Sequence, residues 1–357
     1  MGVLRARYFW TALAGSSAIC LIVFSEDAAA ASKEAVIRCI NIIIPSLFAF
    51  MAVAELISRC SIHRLLSKPF DKPARLLFGM PEGTFPLFLL SNTAGYPVGI
   101  GMLAASVRSG GTNKHTAELM SIYCYAGGPS YAVAVVGEAV YGSQTVGLII
   151  FFSSLLTNLV LATIINRVGK IETSEASAPV PPTSSVFVES VTAAGENVLK
   201  MCAIIVFFSA MTAAIRVDAF IEAAVESGTL THSIGVLLSS ALEISCITGL
   251  HPSAIGAVPL VSAVMSFGGL CVQLQLLPVL KGAFSVRLFY LTMPLRVLLN
   301  YGISLLLCRA FLPDNIPTYT ATGQIIVEID NFIPSICLIM MIFILVFKKR
   351  LAFFRIV

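Results

Sequence analysis

Charged residues are scarce in this chain, and their scarcity decides its class. Only 12% of the 357 residues are Asp, Glu, Lys or Arg, whereas soluble domains carry about 25%. Hydrophobic residues make up 57% of the sequence, and the mean hydropathy is +0.91. A soluble domain is therefore excluded, and the sequence predicts an all-α polytopic membrane protein.

Motifs for catalysis, metal binding and nucleotide hydrolysis are also missing. The nine cysteines are scattered and form no C-x-x-C pair, so neither a disulfide framework nor a zinc site is predicted. No P-loop, nucleophile elbow or H-E-x-x-H sequence occurs, which argues against an enzyme and against an ATP-driven pump. The net charge of +4 needs no nucleic-acid partner, because the basic residues stand mostly at the ends of apolar runs.

Long apolar runs are what the sequence has instead. Hydropathy predicts spans at residues 8–24, 40–57, 116–137, 146–165, 198–215, 257–280, 288–307 and 332–347. Basic residues concentrate between Arg59 and Arg75 and after Phe347, so the positive-inside rule predicts that both termini are cytoplasmic in a bacterial inner membrane. The first run is either an uncleaved span or a signal peptide.

Two pairs of apolar stretches are too short to span a bilayer and are joined by polar residues. The first pair predicts a re-entrant helical hairpin at residues 82–109, and the second predicts one at 233–256. Each hairpin precedes a span with a glycine-rich interruption, at 126–130 in the span 116–137 and at 266–270 in the span 257–280. Interrupted segments at matching places in two halves indicate the binding site of a transporter.

The order of these elements repeats, and the second copy begins on the opposite side of the membrane. The sequence thus predicts an inverted-topology repeat with two re-entrant hairpins and two broken transmembrane helices. The predicted units are an N-terminal helix at 1–31, a first repeat at 32–169, a cytoplasmic linker at 170–185, a second repeat at 186–311, and an external loop with a last helix at 312–357.

These stretches resemble the nucleoside-recognition (Gate) family, and within it the YlbJ-like sporulation integral membrane proteins. The residues that carry the resemblance are Ile44-Pro45-Ser46-Leu47-Phe48, Asn92-Thr93-Ala94-Gly95-Tyr96-Pro97-Val98-Gly99, Ala126-Gly127-Gly128-Pro129-Ser130, Leu242-Glu243-Ile244-Ser245 and Phe267-Gly268-Gly269-Leu270-Cys271-Val272-Gln273-Leu274-Gln275. The resemblance implies a fold like that of concentrative nucleoside transporters, in which substrate and sodium bind between two hairpins and two broken helices.

The hairpins, the breaks and the resemblance together predict a substrate site. Its expected residues are Asn92, Thr93, Gly95, Tyr96, Gly127, Gly128, Ser130, Glu243, Ser245, Gly268, Gly269, Gln273 and Gln275. A carboxylate within an apolar run needs a partner or water, so Glu243 either binds a ligand or pairs with Arg296, which also lies in the middle of a span.

Other polar residues are expected to have structural roles. Asn158 and Asn300 are interpreted as hydrogen-bond anchors between helices, and Glu55 as an i, i+4 partner of Arg59. Gln273 and Gln275 stand two positions apart on one helix, so at least one of them is expected to serve structure.

The sequence therefore favours a secondary transporter of a small polar solute, with a nucleoside-like molecule as one candidate, coupled to Na⁺ or H⁺. The alternative is a non-transporting membrane component of sporulation or envelope assembly that keeps the transporter fold. Expected partners are membrane lipid and a small-molecule solute, with a homo-oligomer left open and no nucleic acid.

Overall fold

The computed structural model describes residues 2–59, 62–108, 110–169, 184–215, 217–228, 231–250, 257–280 and 282–312. Within these ranges the secondary structure is helical and contains no β-strand, which confirms the all-α prediction. Residues 170–183 of the predicted linker at 170–185 and the predicted last span at 332–347 lie outside the described residues, and the last two linker residues belong to the helix that begins at Ser184.

Four described helices are long and apolar enough to cross a membrane. They are Gln144–Val168, Ser184–Ala214, Arg287–Phe311 and Val258–Leu277, the last of which is interrupted at Gly268. A fifth candidate is a pair of helical segments, Ala14–Val23 and Ser25–Asn41, that meet at an angle of 95°. These helices confirm a membrane protein and contain the predicted spans at 146–165, 198–215 and 288–307 almost entirely.

In its described residues, the first half of the chain folds into eight α-helices with two π-helical segments. The π-helices are Cys39–Ile43 and Ser130–Val140, and the α-helices are α1 Gly2–Val23, α2 Ser25–Arg38, α3 Ile44–Arg59, α4 Ile62–Phe78, α5 Phe85–Ala94, α6 Val98–Arg108, α7 Lys114–Ser121 and α8 Gln144–Val168. Helices α5 and α6 pack against each other around the turn Gly95-Tyr96-Pro97, in which the Tyr96–Pro97 peptide is cis. The predicted span 116–137 is interrupted as expected, because α7 ends at Ser121 and regular helix resumes only at Ser130.

The described part of the second half contains six α-helices and one 3₁₀ helix. The 3₁₀ helix is Ile244–Gly249, and the α-helices are α9 Ser184–Ala214, α10 Val217–Glu226, α11 His232–Leu242, α12 Val258–Phe267, α13 Gly269–Leu280 and α14 Arg287–Phe311. The break between α12 and α13 falls at Gly268 and Gly269, whose φ angles are +83° and +79°. Such angles favour glycine because a Cβ atom is strained there.

The second predicted hairpin differs from the first in its returning arm. After α11 the chain forms only the short 3₁₀ helix Ile244–Gly249, whereas the first hairpin returns through the α-helix α6. Residues 251–256, the end of the predicted hairpin, lie outside the described residues. In the described part, the two hairpins are therefore related only loosely.

Helix α14 buries several polar side chains and exposes large apolar ones, which is the reverse of a helix on the surface of a soluble bundle. On α14 the buried stripe contains Arg296, Asn300 and Ser304, whereas Leu291 and Leu298 on the opposite side are at least 70% exposed. In a membrane, polar side chains face the bundle interior and leucines contact lipid. This distribution supports placement of α14 within a bilayer.

Two groups of helices meet around the interrupted segments. Helices α8, α12 and α14 pack on one another, and α9 packs along α2 and α3. Between them lies an aromatic cluster in which the Tyr96 ring stacks on the Tyr125 ring at 5.0 Å, and Phe289 meets Tyr125 edge-on at 5.1 Å. This packing brings the tip of the first hairpin and both breaks to the same level of the bundle.

Candidate functional site

A cavity of about 150 Å³ lies between the tip of the first hairpin, the unwound residues before Ser130 and the start of the 3₁₀ helix. Its wall contains nine of the thirteen residues that the sequence predicts for the site: Thr93, Gly95, Tyr96, Gly127, Gly128, Ser130, Glu243, Ser245 and Gln275. The first six belong to the first half of the chain and the last three to the second. We call this space the central cavity.

Glycine at position 128 lets the hairpin tip approach the unwound segment. A Cβ atom on Gly128 would lie 3.3 Å from the Thr93 carbonyl oxygen and 3.4 Å from the Gly95 Cα. Thr93 and Gly95 belong to the first hairpin, so the hairpin tip and the unwound segment contact each other through main-chain atoms. The cavity wall is therefore built from main chain as well as from the hydroxyl groups of Thr93 and Ser130.

Sequence reasoning missed several residues of the cavity wall. Arg38 reaches it from α2, Tyr131 from the π-helix after the break, and Thr248 from the 3₁₀ helix. The Tyr131 hydroxyl donates to the Ile244 carbonyl oxygen at 2.9 Å and so ties the first half to the second hairpin. A signal for Arg38 existed, since it is a charged residue directly before an apolar run.

Glu243 has several partners within the site. It is 9% exposed, and its Oε2 accepts from Arg38 Nη2 at 3.4 Å and from the Ser209 hydroxyl at 3.1 Å. The Ser245 hydroxyl donates to its Oε1. The predicted pairing of Glu243 with Arg296 is wrong, because Arg38 on α2 supplies the cation and Arg296 bonds backbone carbonyl groups instead.

The Arg38–Glu243 pair separates the central cavity from a larger polar space of about 480 Å³, which we call the vestibule. Both spaces are lined by Arg38, Glu243, Ser245 and Thr248. The rim of the vestibule carries Glu34, Glu226 and His232, all of them exposed. The ion pair therefore stands at the boundary between the two spaces, together with Ser245 and Thr248.

Asn92, a predicted site residue, does not line the cavity. It is fully buried, and its Nδ2 donates to the Phe88 carbonyl oxygen at 2.8 Å and to the Tyr123 carbonyl oxygen at 3.4 Å. Its Oδ1 accepts from Asn158 Nδ2 at 2.6 Å. Asn92 therefore fastens the hairpin to α8 and to the unwound segment, while the neighbouring Thr93 faces the cavity.

Gln273 and Gln275 point in different directions and have different roles, as their spacing of two positions predicts. Gln273 Nε2 donates to the Phe267 carbonyl oxygen at 2.6 Å and to the Tyr125 hydroxyl at 3.0 Å, so this side chain closes the second break. Gln275 lines the central cavity. The prediction that at least one of them serves structure is confirmed, and Gln273 is not part of the cavity wall.

The predicted structural anchors are also confirmed. Asn158 Nδ2 donates to the Tyr125 carbonyl oxygen at 3.0 Å in addition to Asn92. Asn300 Oδ1 accepts from the Ser262 hydroxyl at 2.7 Å, which joins α14 to α12. Glu55 pairs with Arg59 at 3.1 Å, as their i, i+4 spacing predicts.

Gly268 and Gly269, predicted as substrate-binding, instead serve close packing. A Cβ atom on Gly268 would overlap the Tyr125 hydroxyl oxygen, and one on Gly269 would stand 3.1 Å from the Ile244 nitrogen. Both glycines thus allow the second break to press against the first break and against the second hairpin. Neither lines the central cavity.

We expect Gly268→Ala to lower the free energy of unfolding by about 1–2 kcal/mol, because of the strained φ angle and the clash with Tyr125. The matched control is Gly302→Ala, since Gly302 lies within α14 and an added methyl group there would meet no neighbouring element within 4 Å. That control should be neutral or stabilising. Thermal unfolding in detergent measures both, and equal stability of the two variants would contradict the assigned role of Gly268.

Comparison of the chain with protein-family models, with curated proteins and with solved structures finds no match.

Proposed function

We propose that this protein is a secondary transporter of a small polar solute, which binds in the central cavity. One observation carries the proposal: residues from both interrupted helices and both predicted hairpins, widely separated in sequence, line one cavity. Interrupted helices that meet around a cavity within a membrane protein are the usual construction of a transporter's binding site.

The distribution of polar spaces supports alternating access. A polar cavity of about 430 Å³ is lined by Glu55, Arg59 and Glu189, residues that we assign to the cytoplasmic side. Arg59 Nη1 bonds Glu189 at 3.0 Å and so links α3 to α9. Among the described residues, this cavity shares no lining residue with the central cavity, whereas the vestibule shares four. We infer that this conformation is closed on the cytoplasmic side and separated from the outside by the Arg38–Glu243 pair.

In this proposal the two halves form an inverted repeat, and their hairpins are re-entrant. The first hairpin closes the cytoplasmic side, because Pro97 and Val98 follow the cavity residue Tyr96 and line a small cavity of about 20 Å³ together with Glu55. The second closes the outer side through Glu243. The expected location, a bacterial inner membrane with both termini cytoplasmic, and the resemblance to the Gate family both remain predictions.

Cavity size restricts the solute. A cavity of about 150 Å³ accommodates a molecule of the size of benzene. A pyrimidine base, which has a single six-membered ring, is close to this size, whereas a complete nucleoside requires the hairpins to move apart. The wall of the cavity is mainly apolar, and Thr93, Ser130, Ser245 and Gln275 are among the polar residues that line it.

Uptake by purified protein in liposomes tests the proposal. We expect one or more nucleobases, nucleosides or similarly sized polar metabolites to accumulate faster in these vesicles than in protein-free vesicles. Unlabelled solute in excess should abolish the difference. Failure of every such solute to bind or to cross would contradict transport and favour the alternative, a non-transporting component of sporulation or envelope assembly.

A further inference from the structure

The first break exposes main-chain carbonyl groups that a continuous helix would use. Helix α7 ends at Ser121, and the chain stays irregular until Ser130. Carbonyl groups beyond the end of a helix have no intrahelical donor, so other groups must satisfy them. In secondary transporters, unwound carbonyls of this kind coordinate the coupling cation.

Arg296 occupies these carbonyl groups. It lies on α14, is 2% exposed, and its two terminal nitrogens donate to the Tyr125 and Ile122 carbonyl oxygens. The guanidinium carbon also lies 5.3 Å from the centre of the Tyr125 ring, a distance at which a cation interacts with an aromatic face.

No acidic side chain neutralises Arg296 among the residues that the structure describes. A guanidinium in the middle of a span is costly, and it is tolerated where it contacts other polar groups. Here those groups are the carbonyls of the break, so the charge of Arg296 is compensated mainly by main-chain dipoles.

Side chains of the protein also bond other carbonyl groups near both breaks. Asn92 bonds the Tyr123 carbonyl oxygen, and Asn158 bonds that of Tyr125. At the second break, the Phe267 carbonyl oxygen accepts from the Tyr125 hydroxyl at 2.9 Å and from Gln273. A metal cation would have to displace these donors and, at the first break, lie next to a fixed positive charge.

We propose, on the basis of the transport function inferred above, that the Arg296 guanidinium serves as a permanent cation at the first break. In this proposal, solute binding and transport do not depend on Na⁺. Arg296 is a positioning residue: it holds the unwound segment whose next residues, Gly127, Gly128 and Ser130, line the central cavity. It takes the place that a coupling metal ion has in other transporters, and of the two coupling ions that the sequence leaves open, only H⁺ remains.

The first test compares wild-type protein in NaCl and in choline chloride at equal ionic strength. We expect the same unfolding temperature and the same rate of solute uptake in both salts, with and without an inward Na⁺ gradient. Uptake or solute binding that requires Na⁺ would overturn the inference while supporting transport. Absence of uptake in both salts would instead contradict the proposed function. The unfolding temperatures of the Arg296 variants would still test the role of this residue.

The second test removes the attached cation and supplies a free one. Arg296→Ala should lower the unfolding temperature, and millimolar guanidinium should restore several degrees of it, because the free ion can bond the same carbonyls. Wild-type protein and the control Arg309→Ala, which changes an exposed arginine of the same helix, should show no such rise. A folded Arg296→Ala protein that no cation stabilises would overturn the inference, since the charge would then be dispensable.

Arg296→Lys covers the case in which the alanine variant does not fold. Lysine keeps the positive charge but lacks the planar fork that bonds two carbonyls at once. We expect a protein of intermediate stability whose unfolding temperature is the same in NaCl and in choline chloride. Stabilisation of Arg296→Lys by Na⁺ would contradict the proposed role of the charge.

Discussion

Glu243→Gln is expected to reduce solute uptake about tenfold or more, the effect of losing ~1.4 kcal/mol or more of productive interaction. Glutamine preserves the shape of the side chain but removes the charge that Arg38 and the hydroxyls of Ser209 and Ser245 contact. Arg38 is then left without its buried partner at the boundary between vestibule and central cavity. Uptake into liposomes, with folded protein measured in parallel, gives the result.

Glu34→Gln is the matched control for Glu243→Gln. Glu34 also lies near Arg38, at 3.8 Å, but its side chain is 74% exposed, so this pair is expected to contribute little. Uptake by Glu34→Gln should equal that of the wild type. Normal uptake by Glu243→Gln would contradict the role of the ion pair.

Asn92→Ala is expected to lower the free energy of unfolding by about 2–4 kcal/mol, because it leaves buried polar groups without partners. The change removes the acceptor of Asn158 and a donor to the Phe88 and Tyr123 carbonyl groups. We therefore expect loss of uptake to follow from a weakened hairpin attachment rather than from a missing contact with solute. Thermal unfolding without added solute measures the effect.

Thr93→Ala is the control for Asn92→Ala, because it changes the adjacent residue. The Thr93 hydroxyl bonds carbonyl groups of its own helix and faces the central cavity. Its loss should leave stability nearly unchanged and weaken solute binding. A stable Asn92→Ala protein with selectively weakened binding would show that Asn92 contacts the solute after all.

Local sequence patterns were sufficient to locate the helix breaks. Glycine and proline at 126–130 and the glycine pair at 268–269 cannot continue a helix without cost, and the structure interrupts both predicted spans there. Gly127, Gly128 and Ser130 at the first break line the central cavity, whereas Gly268 and Gly269 at the second do not.

Partners distant in sequence could not be predicted in the same way. Arg38 and Glu243 are 205 positions apart, and only the tertiary structure brings the end of α2 next to the end of α11. The sequence instead suggested Arg296 as the partner of Glu243, because Glu243 and Arg296 are both charged residues within apolar runs. In the structure, the Arg296 guanidinium bonds carbonyl groups of the first break instead of Glu243. Main-chain acceptors of this kind cannot be recognised from the pattern of side chains.

The direction of single side chains near the hairpin tip also escaped prediction. Asn92 and Thr93 are neighbours on α5, and successive helical residues point about 100° apart. One of them contacts α8 and the other the cavity. Polarity marks both, but only the tertiary structure distinguishes the residue that fastens the hairpin from the residue that faces the solute.

Filling the central cavity tests its role most directly. The measurement is the rise in unfolding temperature caused by a solute that the protein transports, in the wild type and in Ser130→Phe, with Leu148→Phe on the exposed face of α8 as control. A solute at a hundred times its Kd stabilises the wild type by about 2.7 kcal/mol. We predict that Leu148→Phe keeps this response and that a folded Ser130→Phe protein loses it, whereas an equal response in all three proteins would contradict binding in the central cavity.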